Sequence, residues 1–169
     1  MKTIIPHILI LSLLLTLPLS AQAPAVGAGA PREFKDLLKN IPSKDFLKLR
    51  GNTKTEAAAA MSKDITNREL NKESTFVIEV GKVDSWPFAN ENITGWRVHC
   101  QDERVKQGSL YITVSAWAYI RTDPDGVLKN IRPGKKITVT GTLTRADITA
   151  VEEPVLNIDL RVSSIKSAK

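Results

Sequence analysis

The run Leu128-Lys-Asn-Ile-Arg-Pro-Gly-Lys-Lys-Ile-Thr-Val-Thr-Gly-Thr-Leu143 constrains the fold of this chain more than any other stretch. One turn of apolar residues meets Pro133-Gly134, a pair suited to reversing the chain. A strand follows in which Ile137, Val139 and Leu143 alternate with threonines and Gly141 interrupts. Period-two alternation of β-branched residues marks a strand with one buried face. A glycine inside such a strand permits sharp coiling, which a small closed sheet needs. The stretch therefore points to a small antiparallel β-barrel.

The same period runs through the C-terminal part of the chain. It changes from about 3.6 to 2 near Ser74. Phe76, Ile78 and Val80 alternate, with Gly81 as a bulge; Asn90 to Gly95 is a loop. Trp96, Val98 and Cys100 alternate with Arg97, His99 and Gln101. Gln107-Gly-Ser109 makes a turn before Leu110 to Ile120, where Leu110, Ile112, Val114, Ala116 and Ala118 share one face. Asp123-Pro-Asp-Gly126 is a strong turn. A last strand from Val155 to Val162 points Leu156, Ile158, Leu160 and Val162 inward.

Upstream, helical spacing links Phe34, Leu37, Leu38 and Ile41, with Pro42 closing the run. A second short helix is expected from Ser43 to Gly51. A third starts at Thr53, where Thr53 and Glu56 form a capping-box pattern ahead of Ala57 to Ala60, Met61 and Ile65. Helices this short need a surface to pack on, so they are expected to cover an end or side of the barrel. At the N-terminus, Lys2 precedes an apolar core from Ile8 to Leu17, then Pro18 and the small residues Ala21-Gln-Ala23. That pattern is a secretory signal, too short to span a bilayer. The expected division is a signal peptide at 1–23, a flexible leader at 24–31, a helical segment at 32–73 and a barrel at 74–166. The expected location is exported, periplasmic or secreted, with no stable membrane insertion after cleavage.

Charge and cysteine content narrow the functional classes. The formal net charge is +6. Residues 75–169 carry 13 basic and 11 acidic side chains, so the barrel region has a surplus of two. Phosphate-backbone binders usually concentrate cations on one face, and on this count a protein or envelope component ranks ahead of nucleic acid or oligosaccharide. Cys100 is the only cysteine, so no intramolecular disulfide forms, and its place in an alternating run makes it a small buried hydrophobe.

Five strands with a short helical slot between the third and fourth follow the OB plan, a partly open Greek-key barrel. Ile131-Arg-Pro-Gly-Lys-Lys-Ile-Thr-Val-Thr-Gly141 resembles the entry to the fourth strand of small OB domains, where Gly-Lys-x-hydrophobic-x-hydrophobic-x-Gly is typical. Residues 75–166 resemble the exported OB domains of the tRNA-anticodon-binding type. The fold class implied is an all-β barrel with N-terminal helices, a five-stranded OB-fold-like Greek-key barrel preceded by short α-helices.

OB barrels bind ligands on the outer face of strands two and three and on the flanking loops. In this register Arg97 and His99 face outward beside Tyr111, Trp117 and Tyr119, and Trp86 lies near the first inter-strand loop. These six residues form the candidate ligand-binding set, since rings beside Arg and His can stack on bases or sugars. The alternative for the rings is burial beneath the N-terminal helices. Catalysis has little footing: His99 and Cys100 are strand neighbours that point to opposite faces. No glycine-rich phosphate loop or nucleophile elbow is present, and no cofactor or metal is implied. Asn92-Ile-Thr94 is a glycosylation sequon in a eukaryotic host. The expected function is a non-enzymatic exported binding module. The alternatives are an assembly subunit that uses the helical arm, or an unrecognised hydrolase.

Overall fold

The alternation read above becomes six strands in the computed structural model, which describes residues 30–89, 91, 93–150 and 152–167. They are β1 (Glu73–Phe88), β2 (Ile93–Cys100), β3 (Glu103–Gln107), β4 (Leu110–Ile120), β5 (Lys136–Thr149) and β6 (Val155–Ser167). The sheet order is β2-β1-β5-β6-β4-β3, and an added β2–β4 pairing closes it into a barrel. All pairings are antiparallel except β4 with β6.

This is the OB arrangement with its second strand broken in two. β2 pairs with β4 as far as His99 opposite Trp117, and β3 resumes on the same strand at Glu103 opposite Val114. The exposed pair Gln101 and Asp102 lies between them. The expected five strands are thus present as architecture, with the second one interrupted by an irregularity that lets it bend around the barrel.

Glycine provides the remaining curvature. The β1–β2 register shifts between Val80 and Lys82, at Gly81. The β5–β6 register shifts between Thr140 and Gly141. A Cβ added at Gly141 would collide with the Arg161 carbonyl oxygen and lie 2.9 Å from Val162 Cα. Only glycine lets the two strands approach this closely.

The interior is a continuous apolar cluster. Phe76, Ile112, Ile137, Leu143, Leu156, Ile158 and Leu160 are all buried. The N-terminal segment joins the same cluster through Leu37, Leu38, Phe46, Leu49, Met61 and Ile65. It consists of a 3-10 turn (Phe34–Leu38), α1 (Ser43–Phe46), a second 3-10 turn (Leu47–Arg50) and α2 (Lys54–Glu69). Phe34 meets Phe76 at 4.6 Å between ring centroids. α2 lies along β5, where Ile148 N–H donates to Ser62 Oγ at 2.8 Å.

Three local expectations change here. The first helix is a 3-10 turn ending at Leu38, held by Asp36 accepting from the Glu33 N–H at 3.0 Å. Thr53 does precede α2, but its side chain makes no capping bond. The slot between β4 and β5 is only turns, fixed by Asp123 accepting from the N–H groups of Val127 and Leu128 at 2.8 Å each. It buries Leu128 but has no helix of its own to add to the core.

An ionic clasp ties the start of the segment to the end of α2 beside the barrel. Arg32 pairs alongside β1 through a parallel bridge to Phe76. Its guanidinium donates to Glu69 Oε2 at 2.6 Å and to Ser74 Oγ at 3.0 Å. Arg68 adds a bond to Glu69 Oε1 at 3.2 Å and another to the Leu37 carbonyl at 2.8 Å. Burial works against the charged Glu69 carboxylate, yet the two arginines hold its pKa below the ordinary value.

Candidate ligand-binding face

Strand register decides which side chains meet outside the barrel. Val98, Cys100, Ala116, Ala118 and Ile120 point inward and are buried. Their neighbours must then point outward. Across the strands Asp84 lies opposite Arg97 and Lys82 opposite His99. Arg97 in turn lies opposite Tyr119, and His99 opposite Trp117. On β6, Asp159 is opposite Trp117 and Arg161 opposite Tyr119.

The Arg97 guanidinium sits between two indoles. Its carbon is 4.4 Å from the Trp86 ring centroid and 4.3 Å from that of Trp117. Asp84 accepts from Arg97 Nη2 at 3.4 Å and also pairs with Lys82 at 2.9 Å. The Lys82 ammonium first, and Arg97 after it, keep the Asp84 carboxyl below its ordinary pKa. Arg97 Nε is buried without a hydrogen-bond partner among the described residues. Such an unpaired donor is uncommon and costly, so the sandwich holds the guanidinium at the expense of one bond.

The stack continues on both sides. His99 packs on Trp117 at 4.4 Å, and its Nε2 lies 3.4 Å from both Ser115 Oγ and Asp102 Oδ1. Trp86 meets Tyr119 edge-on at 5.6 Å. Burial, and then the Asp159 charge, raise the Tyr119 phenol above its usual range. Burial, and then Asp147, raise the Asp159 carboxyl, while Arg145 acts in the opposite sense.

Five of the six candidate residues thus form one contiguous patch: Trp86, Arg97, His99, Trp117 and Tyr119. Tyr111 does not join it. It lies at the other end of β4, 43% exposed, with the Arg104 guanidinium 4.7 Å from its ring. Arg104 is in turn held by Glu153 at 2.7 Å. Trp86 belongs to β1 rather than to a loop, because that strand continues past the Gly81 bulge to Phe88. The N-terminal helices do not bury the patch, because their apolar side chains enter the barrel core. The rings are half-buried by one another and by Arg97.

Sequence reasoning missed Asp84, Asp159, Arg121 and Arg161. Lys82, Asp84 and Trp86 continue the alternation of β1 one register beyond the bulge, a signal present in the sequence. Arg121 and Arg161 border a cavity of about 250 Å³ beside Trp86 and Phe88. His99 and Cys100 face opposite ways, and burial, then Asp102, push the Cys100 thiol up to about 12. No three metal-ligating side chains gather among the described residues.

No protein-family model matches the chain, and no curated protein sequence matches it. Several solved structures are similar in part. One is the protein priB from Ralstonia solanacearum: 14% identity, TM-score 0.35, 57% of this chain and 97% of that one. Another is a small single-stranded DNA-binding protein from Streptomyces coelicolor: 16% identity, TM-score 0.38, 58% and 94%. A third is Rim1, a mitochondrial single-stranded DNA-binding protein from S. cerevisiae: 16% identity, TM-score 0.32, 58% and 96%.

Two expectations are corrected at this point. The ranking of a protein or envelope component above nucleic acid does not stand beside a face on which two indoles and a guanidinium converge. It rested on net charge over 75–169, a sum that is blind to where rings and guanidinium groups converge. The expectation of an exported, periplasmic or secreted protein is also not upheld. Its signal segment, 1–23, lies outside the described residues. The barrel is of the OB kind, and nothing found ties it to the tRNA-anticodon-binding type in particular.

Proposed function

We propose that this chain is a non-catalytic OB-type module that binds single-stranded nucleic acid across the face of β1, β2 and β4. Residues 32–73 act as the plug of the barrel and 74–166 as the binding barrel. The observation that carries this reading is the Trp86–Arg97–Trp117 sandwich on the outer face, extended by His99 and Tyr119. Aromatic rings interleaved with a guanidinium form a stacking platform for unpaired bases, and stacking needs no particular sequence. The second and third OB strands, here β2 with β3 and then β4, are where such ligands bind.

Asp84 and Asp159 stand among Lys82, Arg97 and Arg161, so the field over the platform is modest. Affinity then comes from stacking, with a shallow but real salt dependence from the few phosphates contacted. The test is fluorescence anisotropy of a short labelled oligothymidylate, titrated across salt concentration. Binding that strengthens as salt falls supports the reading. Binding of a neutral oligosaccharide instead, unmoved by salt, would replace it.

A further inference from the structure

The cavity beside the ring platform has a chemistry that stacking does not use. Its volume is about 250 Å³, and Trp86, Phe88, Glu91, Arg121 and Arg161 are among its lining. Arg121 follows directly on the last residue of β4, and Arg161 lies within β6 opposite Tyr119. Both cations are therefore mounted on the barrel wall. The Arg121 guanidinium carbon is 5.9 Å from the Phe88 ring centroid. Trp86 already forms the edge of the platform through Arg97 and Tyr119.

Two guanidinium groups and two rings around a small cavity match one chemical group, a phosphate attached to a flat base. Guanidinium offers planar paired donors to phosphate oxygens, and the rings offer a surface for the base. One of these cations is already occupied, since Arg121 is ion-paired with the Glu91 carboxylate. Arg161 makes no ion pair among the described residues. The Arg121 and Glu91 side chains are 40% and 37% exposed, so their pairing is weak in water. Both arginines line the cavity, so a phosphate there has two cations beside it, whereas Glu91 neutralises one.

We propose that this cavity holds a phosphate-bearing nucleotide unit of the bound strand, and that Glu91 is an internal anion which that phosphate displaces from Arg121. The proposal rests on the single-stranded nucleic-acid reading and adds to it an end-site and a built-in competitor. Glu91 then lowers the affinity of ligands that carry phosphate.

The experiment uses the full chain and its variants Glu91→Gln, Arg121→Gln and the double variant, with thermal melts to establish that each is folded. Labelled oligothymidylate binding is measured across salt. Glu91→Gln is expected to bind about 2- to 5-fold tighter, the change that corresponds to freeing a surface ion pair. Arg121→Gln is expected to bind more weakly, with its salt slope shallower by about 0.7, the loss of one phosphate contact on a single strand. In the double variant, the gain from Glu91→Gln should vanish. Thymidine 5′-monophosphate, followed by tryptophan fluorescence, probes the site with a single nucleotide, and dependence of its signal on Arg121 assigns that signal to the cavity. If the strand binds but neither substitution alters its affinity or slope, the cavity proposal is overturned and the platform stands. If the strand does not bind, yet the monophosphate quenches fluorescence in an Arg121-dependent way, the platform reading fails, and the cavity is a site for a free nucleotide, which overturns its assignment to a bound strand. If neither probe binds, both are overturned.

Discussion

The Arg97 guanidinium lies 4.3 Å from the centre of the Trp117 indole, one strand away, with the Trp86 indole on its other side. Rigid strands hold all three residues, so the cation and rings are positioned before any ligand arrives. Preorganisation of this kind reduces the ordering cost of binding.

Trp117 is therefore expected to matter more for binding than for folding. Trp117→Ala should weaken oligothymidylate binding by about 1–3 kcal/mol, the usual value of a base–ring stack. Its stability cost should stay well below the 3–5 kcal/mol typical of a buried aromatic deletion. Phe46→Ala, in the plug, supplies that reference because Phe46 is fully buried. Equal losses of melting temperature for the two variants would mean that Trp117 is a core residue.

Asp159 should make binding depend on pH. Its carboxyl pKa is raised by burial, and then by Asp147. Lowering the pH toward that raised value protonates Asp159 and removes a negative charge from beside Trp117, so an anionic strand should bind more tightly. Asp159→Asn should bind more tightly at neutral pH and lose this component of the pH response. The folded protein holds the Asp159 proton more tightly than the unfolded chain. Its contribution to stability is thus full below the unfolded pKa and fades as pH rises through the folded one. Affinity measured for both proteins between neutral and mildly acid pH checks the sign.

The clasp at Glu69 should show in stability alone. Glu69→Ala leaves Arg32 and Arg68 without their shared anion. We expect a loss of about 2–3 kcal/mol, below the 3–5 kcal/mol of a fully buried pair, because both arginines keep some contact with water. The Glu69 pKa is lowered in the fold. Its contribution is therefore complete above the unfolded value of 4.5 and disappears as pH falls through the folded one. Acid denaturation of the variant should be correspondingly less steep, with oligothymidylate binding to the folded form unchanged.

Cys100 should resist thiol reagents in the native protein. It is 5% exposed, and burial pushes its thiol up to about 12, so little thiolate exists at neutral pH. Labelling should proceed only after denaturant is added. Rapid labelling of the folded protein would mean that β2 is displaced by one residue, which would reverse every side chain on the proposed face.

Gly141→Ala should destabilise the barrel without touching the ring platform. The new methyl would meet the Arg161 carbonyl oxygen and Val162 Cα, both backbone atoms that cannot swing aside. A cost of about 1–3 kcal/mol follows from overpacking, and a chemical denaturation curve checks it.

The alternation in the chain was enough to define the strands and their inward faces. Phe76, Val98, Ile112, Ile137 and Leu160 are buried as period two requires, because a strand's side-chain direction is a local property of its backbone. The turns at Gly108, Gly126 and Gly134 were equally legible, since each has positive φ. The tertiary structure decided what lies beside what. Trp86, Arg97 and Trp117 are distant in sequence, and they meet only because the shift at Gly81 sets the register of β1 against β2. The destination of the N-terminal helices was also not local. Their apolar spacing required a partner surface, but only closure of the barrel left an end for Phe46 and Ile65 to fill. Net charge was uninformative for the same reason: it sums over positions, whereas the face is made by which rings and cations the register brings together.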